Sequence, residues 1–197
     1  MDCDTIFIVL FTLFIKQKIK MACCYECLLD LNTKSSLKIF LLKNVQNSNI
    51  ISENIKNGVW KCAAVNPSLI LDPFQIAVAA NRAAVAQMLG NMVMKTVHGE
   101  ILYNLSLSKN ITQSLKQFGV EEQNTFLLCF ITNQMEDQSE EVLTQVNGEQ
   151  SSISELFNYT DLKQIQDAYK LNNVQCHNHI LDIIVSRMAT KNFVSFK

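Results

Sequence analysis

LDPFQIAVAANRAAVAQMLG, residues 71–90, reads as a helix from its first residues to its last. Asp72 is placed to accept the N–H of Gln75, and Gln75 to reach back to the cap backbone, which is a capping box. Pro73 takes the first helical position, where its missing donor costs nothing. Gly90 supplies the left-handed residue that closes the helix. Phe74, Ala77, Val78, Val85 and Met88 form the expected buried stripe. Alanines at 77, 79, 80, 83, 84 and 86 predict close approach of a neighbouring element. A second stretch, TFLLCFIT at 125–132, is almost continuously apolar, as expected of a central strand covered on both faces. A strand of that kind and a helix of this kind call for a layered fold.

Working outward, residues 25–31 and 36–43 read as strands joined by the polar turn Asn32-Thr33-Lys34-Ser35. In the second, Leu37, Ile39 and Leu41 alternate with Lys38 and Phe40, the period of a half-buried strand. Residues 48–56 read as a helix, with Asn47 as its cap and Gly58 beyond its end. Residues 91–95 and 100–105 are expected to be strands. A helix follows from Asn110, with Gln113 three residues on and Gly119 at its end. A loop and a short helix over 139–146 are expected next, then helices near 161–169 and 177–190. The chain has 197 residues, 48% of them hydrophobic, which suits one core. The expected fold class is α/β (α+β), a single domain over 21–191 with a mixed central β-sheet packed with helices. Its C-terminal helix is expected at a partner surface, and residues 192–197 form a tail.

Ile6 to Ile15 is a ten-residue apolar run preceded by Asp2 and Asp4 and followed by Lys16, Lys18 and Lys20. That charge order is the reverse of a signal peptide's. As a helix it would rise about 15 Å, half a bilayer core. Either Met21 is therefore expected to be the working start, or residues 1–20 to be a loosely attached extension outside the fold, with no membrane role.

Charge is segregated along the chain. Residues 121–160 hold eight acidic residues and no Lys or Arg, whereas residues 16–61 hold eight lysines. The near-zero net charge argues against a protein that binds nucleic acid alone, since phosphate neutralisation needs a denser basic stripe. Seven scattered cysteines are an odd number for a secreted disulfide framework and suit reduced thiols.

Sites of chemistry are few. Cys24-Tyr25-Glu26-Cys27 has the spacing of half a zinc site, but no second cysteine pair completes it. Cys176, His177 and His179 cluster before the last helix and could bind a metal only as a loop. His98 could in principle activate Cys129, yet a thiol inside TFLLCFIT is inert packing. Glycine loops that cradle phosphate and nucleophile elbows are missing. No catalytic residue, metal, cofactor or small-molecule substrate is expected. In the last helix, Ile180, Leu181, Ile183, Ile184, Val185 and Met188 spread over more than one face, so one side can pack inward while the other meets a partner.

Val65-Asn66-Pro67-Ser68-Leu69-Ile70-Leu71-Asp72-Pro73-Phe74-Gln75-Ile76, with Val78-Ala79-Ala80-Asn81-Arg82-Ala83 after it, resembles the small kinase-binding subunit family of the KEOPS (EKC) complex. Gly99 to Ser106, Asn110-Ile111, Phe118-Gly119-Val120 and Ser186-Arg187-Met188-Ala189-Thr190-Lys191 are similar to the same family. The resemblance implies a non-catalytic subunit of the complex that makes threonylcarbamoyl-adenosine in tRNAs reading codons that begin with A. It implies binding to a PRPK-type atypical kinase, tRNA recruitment as in archaeal relatives, and residence in cytoplasm and nucleus. On that reading Ile180, Ile183, Ile184, Arg187 and Met188 are the kinase-contact candidates. Arg82, Lys95, Lys109 and Lys116 are the tRNA-contact candidates. A free-standing RNA-binding module and a thiol- or metal-dependent enzyme built on Cys176, His177 and His179 are the competing readings.

Overall fold

The computed structural model describes residues 24–120, 123–133, 136–171 and 179–194. In chain order the elements are β1 (Cys24–Leu28), β2 (Ser35–Lys43), α1 (Ser48–Lys56), β3 (Ala63–Val65), α2 (Pro73–Leu89), α3 (Val97–Leu105) and α4 (Ile111–Phe118). They continue with β4 (Phe126–Asn133), α5 (Ser139–Thr144), β5 (Glu149–Ser151), α6 (Leu162–Ala168) and α7 (Ile180–Thr190). The sheet is antiparallel throughout, in the order β1-β2-β4-β3. Strand β5 pairs with Leu41–Lys43 of β2, beyond the stretch that β1 pairs. Helices cover this one sheet on both sides, in accord with the α/β class expected from sequence.

Strand alternation sorts the core into two layers. Leu37, Ile39, Leu41, Ala63, Val65, Leu127 and Cys129 point to one face, where α2, α3 and α7 pack. Phe40, Leu42, Ala64, Phe126, Leu128 and Phe130 point to the other, under Ile51 of α1, Trp60 and Val142 of α5. Phe40 and Phe130 meet edge to face across the β2–β4 pair, 5.9 Å between centroids. Strand β4 is thus the doubly covered strand that TFLLCFIT predicts.

Helix α2 begins and ends where expected, but its cap is wired differently. The Asp72 carboxylate accepts from Phe74 N at 2.8 Å, not from Gln75. Gln75 is fully buried and reaches past the cap: its Oε1 accepts from Leu71 N at 3.1 Å. Its Nε2 donates to Leu69 O at 3.0 Å and to the Tyr169 hydroxyl at 2.6 Å. That hydroxyl in turn donates to Leu105 O at 2.8 Å. A buried phenol needs partners, and this need draws Gln75 inward. Burial of the helix ends with Ala84; Val85 is half-buried and Met88 is 49% exposed, so neither belongs to the expected stripe as a core residue. Gly90 closes the helix at φ +68°.

Several expectations fail. Residues 91–95 form no strand, and residues 100–105 lie in helix α3. Thr96 caps that helix by accepting Gly99 N at 3.1 Å, and the buried Glu100 carboxylate accepts Met94 N at 2.6 Å. Val97, Ile101 and Leu105, four apart, all pack into the first core layer. Asn47 does not cap α1; its amide instead bridges to Asn147 N (2.9 Å) and Gln145 O (3.0 Å). Strand β1 stops at Leu28, because the Asp30 carboxylate accepts Asn32 N and turns the chain into a short 3-10 segment. Helix α4 keeps its expected cap, Asn110 to Gln113 N at 3.1 Å.

Replacing Gln75 with Leu removes partners from Leu71 N, Leu69 O and the Tyr169 hydroxyl at once. The expected cost is about 2–3 kcal/mol, read as a lower urea midpoint at unchanged slope.

Candidate functional site

Helix α7 lies against α2, and its inward side is used up by the core. Ile184 and Met188 are 0% exposed and Val185 is also buried. These two kinase-contact candidates therefore belong to the body of the protein and offer a partner no side chain. Ile180, Leu181 and Ile183 are half-buried and pack only against the margin of the core. Phe193, just beyond the helix, is 88% exposed, and Val194 is exposed with it.

Cations fasten this helix at three places. Arg187 donates to Tyr169 O and, at 2.6 Å, to Lys170 O, meeting carbonyls at the end of α6. Arg82 on α2 donates to Met188 O. Burial pulls the Arg82 guanidinium down from its ordinary pKa, with Glu100 and Tyr103 opposing. Lys191, 1% exposed, donates to Tyr103 O, to Ser106 O at 3.0 Å and to Ser108 O at 3.4 Å. Burial brings its ammonium down to about 8, with Arg82 and Lys109 adding to the fall and Glu100 opposing it. The sequence gives no signal for this role: a lysine after an apolar helix is ordinarily a solvated end.

The tRNA-contact candidates do not form one patch. Arg82 is half-buried and occupied by Met188 O, while Lys95 and Lys116 are exposed. Lys109 alone among the four lines an open groove of about 620 Å³, whose walls also carry Lys170, Lys191, Gln113, Gln117 and Gln164. Four acids of the acidic segment face lysines. Asp137 meets Lys38 at 2.6 Å, Glu136 meets Lys61, and Glu149 and Glu155 lie 3.9 and 3.7 Å from Lys43. Chain folding thus brings together the acidic and basic blocks of the sequence.

Among the described residues, Cys27, Cys62 and Cys129 are unsuited to nucleophilic chemistry. Burial pushes Cys62 up to about 12, Cys129 well above its ordinary value, and Cys27, half-buried on the edge strand beside Tyr25, to about 11. Burial also drives His98 down to about 4, with the charges of Glu136 and Lys61 nearby. His179 is exposed, 3.3 Å from Asp182, and Cys176 and His177 lie outside the described residues. Among the described residues no cluster of three or more His, Cys, Asp or Glu is arranged to hold a metal.

Residues 42–192 match the family described as kinase binding protein CGI-121. The chain is 30% identical over 168 residues to the EKC/KEOPS complex subunit TPRKB of Danio rerio, covering 83% of this chain and 95% of that protein. It is 27% identical over 157 residues to the EKC/KEOPS complex subunit CGI121 of Candida glabrata, covering 78% and 89%. Its identity to the EKC/KEOPS complex subunit cgi121 of Schizosaccharomyces pombe is 25% over 166 residues, covering 81% and 95%.

Ile184→Arg is expected to abolish soluble, cooperatively folded protein, since an unpaired guanidinium in a closed core costs more than about 4 kcal/mol. Ile183→Arg, at a half-buried position, is expected to keep its thermal transition. For Lys191, the folded pKa of about 8 lies below the ordinary 10.5, so between these values the unfolded chain holds the extra proton. Stability from this group therefore rises with pH across that window and is flat below it. Urea unfolding of the native chain and of Lys191→Met should show a difference that is constant below pH 8 and shifts in favour of the native chain up to pH 10.

Proposed function

Because the chain belongs to the CGI-121 family of kinase-binding proteins, we propose that it is a non-catalytic subunit of an EKC/KEOPS complex. In that complex it serves the threonylcarbamoyl-adenosine modification of tRNAs reading codons that begin with A, in cytoplasm and nucleus. It binds and supports the PRPK-type atypical kinase through the outer side of α7. The observation that carries this reading is the division of that helix. Its inner side is spent on the core, while Ile180, Leu181 and Ile183 with Phe193 and Val194 present apolar surface that no described element covers fully. Surfaces of that kind mark association sites.

A contribution to tRNA recruitment is favoured by the groove at Lys109, where Lys170 adds positive charge against the single acid Asp167 and three glutamines offer amides. Charge of this density assists a complex in holding phosphate without sufficing alone.

The test is co-expression with the kinase subunit of the same organism. A one-to-one complex on gel filtration is expected. Leu181→Arg combined with Ile183→Arg should fold and lose capture by about a hundredfold, the effect of truncating a central apolar contact. Lys109→Glu should leave capture intact and weaken tRNA retention by the assembled complex several-fold, with a shallower salt dependence. A folded native chain that leaves the kinase uncaptured would sink the proposal.

A further inference from the structure

Lys191 is the only lysine among the described residues that is buried, and its position is not that of a packing residue. It follows the last turn of α7 as that helix's C-cap. Its three N–H donors meet three carbonyl oxygens, those of Tyr103, Ser106 and Ser108, and its nitrogen lies 3.5 Å from the centre of the Tyr103 ring. The Tyr103 carbonyl belongs to the last turn of α3, where carbonyls have no helical partner, and Ser106 caps that helix. Ser108 opens the connection to α4: its hydroxyl donates to Gln113 at 2.8 Å and accepts from Asn110 N at 3.1 Å. One side chain from the end of the chain thus fastens the joint between two earlier helices. The same side chain forms part of the wall of the groove that Lys109 lines.

We infer that Lys191 is a lock that makes the last turn of α7 and the α3–α4 joint one opening unit, so that neither loosens without the other. Two physical facts favour a lock over a static strut. Two of the acceptors, the Tyr103 and Ser106 carbonyls, belong to buried residues, so once the ammonium leaves they are paired again only if the joint opens to water. Enclosing an ammonium is itself unfavourable and is offset only while all its donors are satisfied, so the closed state has a narrow margin. Local openings of this kind draw on the weakest cooperative units of a fold. The consequence for recognition rests on the function proposed above: the apolar side of α7 and the groove would be ordered or loosened together. A partner that fixes the helix would then also set the shape of the groove, and a groove ligand would tighten the helix by the same factor.

The lock is tested on the full chain without any partner, so its failure leaves complex membership untouched and the converse also holds. Hydrogen exchange is measured on the native chain and on Lys191→Met. In the variant, amides of Ile184–Thr190 and of Tyr103–Leu105 should both exchange about tenfold faster or more, the loss expected when a charged donor is removed from buried carbonyls. Amides of β2 and β4 should be unchanged. Acceleration in one segment alone, or in neither, overturns the inference. Should Lys191→Met fail to fold, the native chain is followed across sub-denaturing urea. There, one shared opening curve for the two segments supports the lock, and two separate curves overturn it.

Discussion

Strand β4 has apolar side chains on both faces, Leu127 and Cys129 on one, Phe126, Leu128 and Phe130 on the other, and all of them are buried. A strand with this composition cannot lie at the surface of a two-layer fold, and the rest of the chain is arranged to cover it twice. Strand β2 alternates the same way and pairs with β4 over nearly its whole length, so the register of one fixes the faces of the other. On the first face the cover is α2, whose alanines let the backbones come close enough for Asn104 of α3 to donate to Ala79 O at 3.3 Å. On the second it is thinner, carried by α1, Trp60 and α5.

From α2 the order passes to the C-terminal part through polar contacts. Gln75 and Tyr169 form a closed relay from Leu69 and Leu71 to Leu105, tying the start of α2 and the end of α6 to the end of α3. The end of α6 is then where Arg187 of α7 finds its carbonyls. Position is handed along by hydrogen bonds to backbone, where each added partner satisfies a group that would otherwise be buried unpaired.

Legibility in the sequence follows from the kind of signal each element carries. Helices α2 and α4 are readable because Asp72 with Pro73, and Asn110 with Gln113, announce their starts through side chains. Helix α3 is misread because Ile101, Tyr103 and Leu105 satisfy a period of two while Val97, Ile101 and Leu105 satisfy a helical one. The acid that supports its start, Glu100, stands one residue past the usual capping-box position and bonds to Met94 outside the helix. Strand β5 is polar Glu149-Gln150-Ser151 and exists only because β2 has an edge to offer. That α7 is apolar on opposing sides is legible. Which side turns inward is not, since Ile183 and Ile184 are chemically alike and only the position of the sheet separates them. Nor is the role of Arg82, Arg187 or Lys191, because their partners are carbonyl oxygens, which every residue has.

This last point bears on the contact proposed for α7. A terminal helix that kept its basic groups in solvent would offer a partner a charged surface of long, mobile side chains. In α7, Arg187 is drawn back onto the end of α6, Lys191 into the body, and Arg82 of the neighbouring helix onto Met188 O. The fully exposed positions of α7 are Asp182, Ser186 and Thr190, and half-buried Ile180, Leu181 and Ile183 lie along its margin with the core. Inward use of the cations therefore does two things at once. It fastens a short helix that propensity alone would not hold, and it draws long cationic side chains away from the half-buried aliphatic margin of Ile180, Leu181 and Ile183.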